Sequence, residues 1–184
     1  MNIILKLDRF FSWVAQACGA LATLAMVALL FNVFYDVVMR YAFNTVSIGM
    51  QELEWHLFAT AFLLGIPYAM QKDGHVRVDI FYEAWSDTVK AWVNLLGACV
   101  FVLPFALLIV YFGIDFAREA FDMNEGSGDP GGLPHRWIVK ALIPISLALV
   151  AVASLGIVTQ ALKVLIGKQS YPPTSPPSST GAMS

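Results

Sequence analysis

The sequence predicts an all-α integral membrane protein with four transmembrane helices, short amphipathic helices at the interface, and both termini in the cytoplasm. Three observations predict it. Hydrophobic residues make up 58% and charged residues 13% of 184, against about 45–50% and about 25% in soluble domains. Four runs approach the roughly 20 apolar residues that a helix needs to cross the hydrocarbon. All five tryptophans (Trp13, Trp55, Trp85, Trp92 and Trp137) fall at or just beyond the ends of those runs, at the depth where indole rings favour the headgroups. So little charge cannot cover a water-soluble globule of this size, which excludes an ordinary cytosolic enzyme and a disordered chain. A net charge of -2 offers no basic field to nucleic acid.

The first run, about 15–39, follows a lead in which Ile3, Ile4, Leu7, Phe10 and Phe11 share a helical face opposite Asn2, Lys6 and Arg9. It is too long for the roughly 7–15-residue core of a cleavable signal. Ala15, Gly19 and Thr23 form a small-residue ridge, a device that lets helices approach closely in lipid. The second run, about 53–71, is short and contains Pro67. The third, about 91–113, contains Pro104, and the fourth, about 138–162, contains Pro144 and a weaker ridge of Ala148, Val152 and Gly156. Ile80, Phe81, Ala84 and Trp85 oppose Glu83, Asp87 and Lys90, and Phe116, Ala117, Ala120 and Phe121 oppose Asp115, Arg118, Glu119 and Asp122. Both patterns fit helices lying in the interface, and the second fits the last turns of a spanning helix equally well. Residues 1–167 therefore form one transmembrane domain, and the Pro- and Ser-rich residues 168–184 a flexible cytoplasmic tail. Seven basic residues (Lys6, Arg9, Lys72, Arg77, Lys90, Lys163, Lys168) flank the side holding the termini, and four (Arg40, Arg118, Arg136, Lys140) flank the other. Basic residues concentrate on the cytoplasmic side.

Polar residues gather at the ends of the runs. Asn32, Asp36 and Arg40 recur every four residues along one face. A membrane carboxylate marks either an ion site or a self-neutralised pair that docks the helix; with no acid at mid-depth in the other runs, the pair is the favoured reading. Glu52 and Glu54 precede the second run, where the helix dipole favours carboxylates, with Arg40 the expected partner; together with His56 they fall short of the three or four ligands of a metal site. His75, Arg77 and Asp79, within Lys72–Asp79, form either a snorkelling turn or a contact to a partner protein. Cys18 and Cys99 sit in apolar runs and read as buried hydrophobes. No cofactor is expected. The alternative, a membrane anchor of a redox complex, needs axial histidines in facing helices, and of His56, His75 and His135 only the first lies in a run.

Three separated segments carry a resemblance. They are Arg40-Tyr41-Ala42-Phe43-Asn44 with Gln51-Glu52-Leu53-Glu54-Trp55; Lys72-Asp73-Gly74-His75-Val76-Arg77-Val78-Asp79; and Gly131-Gly132-Leu133-Pro134 with Trp137-Ile138-Val139-Lys140. In this order and spacing the chain resembles the small membrane subunit of the tripartite ATP-independent periplasmic (TRAP) transporters. The resemblance implies a non-catalytic scaffold in the bacterial inner membrane, bound to a large membrane subunit that carries the substrate and sodium sites. It also implies a periplasmic solute-binding protein that docks on the pair during uptake of an organic acid or related solute. Asp36, Arg40, Glu52, Glu54, His75, Arg77 and Asp79 are the candidates for subunit contact or structural support. The apolar centres of the runs agree with such a role, because a transport path needs polar or broken helices near mid-membrane.

Overall fold

The computed structural model describes residues 2–71, 85–167 and 170, with side chains from residue 9 onward and not for residue 71. The segment carrying His75, Arg77 and Asp79, the amphipathic stretch around Ile80, and nearly all of the tail lie outside the described residues. Within them the chain is all-helical. Helix α1 is Asn2–Ala42, α2 Ile48–Gln71, α3 Asp87–Asp122 and α4 Trp137–Leu165. Helices α1, α2 and α4 pack on one another, and α3 packs on α4.

Among the described residues, three helices are long and apolar enough to cross a membrane: α1 from Arg9, α3 and α4. Helix α2 has 24 residues, about 36 Å at 1.5 Å per residue, but Glu52, Glu54 and His56 dilute its first turns, and it is not among the three. The leading and trailing amphipathic stretches are not separate interfacial helices. Ile3–Phe11 is the first part of α1, and Phe116–Phe121 the last turns of α3, each continuous with its span. Nothing in either junction interrupts the helix, and neither contains a proline.

The prolines are accommodated in two ways. Pro67 and Pro144 lie inside α2 and α4. Before Pro104 the backbone of α3 widens into a π-helical segment, Gly97–Val102, where the Leu103 N–H bonds to the Ala98 carbonyl. Proline has no N–H and its ring presses on the preceding turn, and the wider π-segment, an uncommon form within α-helices, lies in that preceding turn.

The interior is made of small side chains. Ala15, Cys18, Ala25, Ala61, Ala91, Ala98, Ala106, Ala120, Ala151, Ala153 and Ala161 are buried, while Phe31, Phe34, Phe62, Phe101, Phe105 and Phe112 face outward. Lipid tails are as apolar as leucine, so close backbone approach drives helix packing in a membrane more than burial of bulk. Met70, Ala106, Val150 and Ala151 make the central cluster. On α4 the buried stripe is Ser146, Val150 and Ser154, in place of the expected Ala148 ridge, of which Ala148 is exposed. Both serine hydroxyls donate to carbonyls three residues back, Ile143 and Ala151, which lets a polar residue be buried without a partner helix. Cys18 is buried as expected, but Cys99, on the π-segment, is exposed.

Of the expected α1 ridge, Ala15 and Gly19 are buried and Thr23 is exposed, and the close approach falls at Gly19. A Cβ on Gly19 would stand 2.6 Å from the Tyr68 ring of α2, so only glycine allows this approach. Gly19→Ala is expected to wedge α1 from α2 at a cost of about 1–3 kcal/mol, typical of overpacking. A lowered Tm of the purified chain checks it, and Tyr68→Ala in the same chain should restore part of the loss.

Candidate functional site: a carboxylate clasp at the loop end

The loops 43–47 and 123–136 meet at one end of the bundle because α1 and α3 end there and α2 and α4 begin there. Helix α1 stops after Ala42, and the chain turns through Asn44 in the left-handed region (φ 52), with Phe43 and Thr45 both bonded to the Met39 carbonyl. Helix α3 stops at Asp122, and the second loop takes positive φ at Asn124 (48), Gly131 (84) and His135 (61). Asparagine and glycine tolerate that conformation best.

Glu52, in the second turn of α2, holds this loop. The Ser127 hydroxyl donates to its Oε1, the Leu133 N–H donates to Oε2 at 2.7 Å, and an Arg136 guanidinium nitrogen lies 3.5 Å from Oε1. The segments Gln51–Trp55 and Gly131–Pro134, 81 residues apart at the Glu52–Leu133 bond, are thus one structural unit. Gly132 belongs to it because a Cβ there would come within 2.8 Å of Glu52 Oε2. A second tie runs beside the first: Lys140 pairs with Glu125 and lies 4.2 Å from the Phe116 ring centroid, and the Arg136 N–H donates to the Glu125 carbonyl. Trp137 meets Phe121 edge-on at 5.2 Å, closing α4 on the end of α3.

The expected Arg40 partner for Glu52 is corrected. Arg40 spends a guanidinium nitrogen on Asp36 Oδ2 at 2.5 Å within α1, and Glu52 takes Arg136 instead, because it faces the second loop. Glu54 makes no ion pair among the described residues. The Asn32–Asp36–Arg40 stripe faces inward: Asn32 and Asp36 are each 6% exposed, and the Asn32 amide donates to the Met50 carbonyl at 2.8 Å. It therefore ties α1 to the start of α2. No cluster of three metal-ligating side chains occurs among the described residues.

The Ser127 hydroxyl first and then the Leu133 N–H hold the Glu52 carboxyl below its ordinary range; burial opposes them less strongly, and the Arg136 and His56 charges add smaller lowering effects. A carboxyl whose folded pKa is depressed contributes its stabilisation above its unfolded value, about 4.3, and loses it as pH falls through the folded one. The Leu133 amide is accordingly expected to keep constant hydrogen-exchange protection, corrected for intrinsic rate, from pH 8 to pH 5.5. It should lose protection as pH falls below the ordinary carboxylate range and through the depressed value of Glu52.

The charge at this end is unequal. Arg40, Arg136 and Lys140 are consumed by Asp36, Glu52 and Glu125, and Arg118 lies 3.9 Å from Asp122 on the surface. Asp115, Glu119 and Asp129 remain exposed, so the end is net acidic.

Apolar helices packed through small residues, with ionised groups kept to the two ends of the described bundle and no charged side chain in the middle of a described span, define a polytopic membrane protein. The family described as tripartite ATP-independent periplasmic transporters, DctQ component, matches residues 29–164. The chain belongs to that family and is a small permease subunit of the bacterial inner membrane. It is similar to the C4-dicarboxylate TRAP transporter small permease protein DctQ of Pseudomonas aeruginosa, at 28% identity over 61% of this chain and 57% of that one. It is also similar to the sialic acid TRAP transporter permease protein SiaT of Haemophilus influenzae, at 29% identity over 61% of this chain and 18% of that one. The chain thus spans less than two thirds of the length of either relative.

Proposed function

We propose that this chain is the non-catalytic scaffold of a TRAP transporter, bracing a large membrane subunit and helping a periplasmic solute-binding protein to dock. The solute taken up is an organic acid or a related compound, coupled to an ion gradient. Helix α2 is the fourth span in this reading, both termini are cytoplasmic, and the clasped loop end faces the periplasm. The absence of any charged side chain from the middle of the described spans carries the proposal. A chain with no polar step in its hydrocarbon section supplies support and leaves passage to its partner. The wide outward aromatic faces of α1 and α3 are available to that partner and to lipid.

The clasp gives the periplasmic face a fixed shape, with its cations internally neutralised and its acids outward. A binding protein that docks there presents basic groups, and its docking weakens as salt rises. Affinity purification through a tag on this chain is expected to recover the large membrane subunit in a constant ratio. Recovery of the chain alone from membranes that contain both would contradict the reading.

A further inference from the structure

Beneath the clasp lies a groove of about 540 Å³ between α2 and α4. One face of α2 lines it (Gln51, Glu52, Trp55, His56 and Ala59 among them), with Asp129, Arg136, Val139 and Lys140 opposite. It is graded along its length. Both signs of charge stand at the loop end, with Val139 apolar between Arg136 and Lys140, and Ala59 on α2 is the apolar lining residue furthest from the loops. Trp55, 78% exposed, stands beside it at the depth where indole rings meet headgroups.

We propose that this groove is a site for a zwitterionic phospholipid whose headgroup carries a primary ammonium. Arg136 has five N–H donors, spends one nitrogen on Glu52 at 3.5 Å and keeps its side chain 41% exposed, so it can still take a phosphate oxygen. The His56 imidazole adds a second donor from the α2 wall. The Asp129 carboxylate, which pairs with no cation among the described residues, accepts from the ammonium. The acyl chains run over Ala59, Val139 and the Trp55 ring. Balanced charge selects the headgroup. An anionic lipid would bring its phosphate to Arg136 and Lys140, whose charges Glu52 and Glu125 already offset, and would leave Asp129 unmatched. A choline headgroup has no N–H to give Asp129. The inference rests on the groove and on the proposed reading of α2 as a membrane span, and stands whether or not the chain scaffolds a transporter.

The test is native mass spectrometry of the full chain, delipidated in detergent and titrated separately with phosphatidylethanolamine, phosphatidylcholine and phosphatidylglycerol. Phosphatidylethanolamine is expected to be retained about tenfold more tightly than either other lipid, the size of one charge-assisted hydrogen bond. Asp129→Asn should abolish that preference while leaving phosphatidylglycerol binding unchanged, and His56→Leu should weaken all three. Protection of the Leu133 amide shows that each variant retains the clasp. Equal retention of the three lipids, a preference for phosphatidylglycerol, or a preference that survives Asp129→Asn would overturn the proposal. So would a groove filled by protein side chains in the assembled complex.

Discussion

Replacing Glu52 by alanine is expected to open the second loop and to cut solute uptake by the assembled transporter by roughly tenfold or more, the scale set by losing several hydrogen bonds to one charged acceptor. Three donors converge on this carboxylate: the Ser127 hydroxyl, the Leu133 N–H and the Arg136 guanidinium. Alanine strands all three, and the backbone donor cannot turn elsewhere without moving the loop. Glu52→Gln keeps one acceptor for Leu133 and should fall between. Glu54→Gln is the control, because Glu54 lies two residues on, carries the same charge and holds nothing in the loop. Uptake measured in cells expressing equal amounts of each variant, beside hydrogen exchange of residues 123–136, checks the series. Equal losses from Glu52 and Glu54 would mean that charge at this end matters and the clasp does not.

The second large effect concerns the Asp36–Arg40 pair, where the expected result is an order. Arg40→Ala should reduce membrane yield more than Asp36→Ala, and the double variant should recover much of the loss. The Asp36 side chain is 8% exposed and that of Arg40 40%. Removing the arginine leaves a carboxylate buried without its cation, the costly case. Removing the aspartate leaves a long cation that can extend to water. Deleting both removes the uncompensated charge, which is why paired replacement is often tolerated. Yield and Tm of the three purified variants check it. A functional ion site would behave differently, with Asp36→Ala abolishing uptake at normal yield.

Much of the fold is legible in the sequence, and the reasons differ by element. Helices α1, α3 and α4 are declared by long apolar runs bounded by tryptophan, a signal that needs no tertiary information. Helix α2 is less clear because Glu52, Glu54 and His56 occupy its opening turns and dilute the pattern that marks a span, and of the three only Glu52 holds the clasp. The stripe of Asn32, Asp36 and Arg40 is readable because i, i+4 spacing fixes both the shared face and the ion pair. The partner of Glu52 is not readable. It depends on how a loop some 80 residues away folds back, and proximity in sequence points to Arg40. The α4 ridge is missed for a related reason. Residue size nominates Ala148, Val152 and Gly156, whereas rotation of the helix against Met70 and Ala106 decides which face is buried, and it buries Ser146, Val150 and Ser154. The π-segment before Pro104 has a local cue in the proline, but nothing in the sequence says that the backbone widens there instead of kinking.

The central claim is that this polypeptide supports a passage and does not form one. Its most direct test is uptake into sealed proteoliposomes under an imposed ion gradient, with binding protein and solute outside. Vesicles holding this chain with its large partner should accumulate solute, and vesicles holding this chain alone should match protein-free vesicles. Gradient-dependent accumulation by the chain alone would contradict the account.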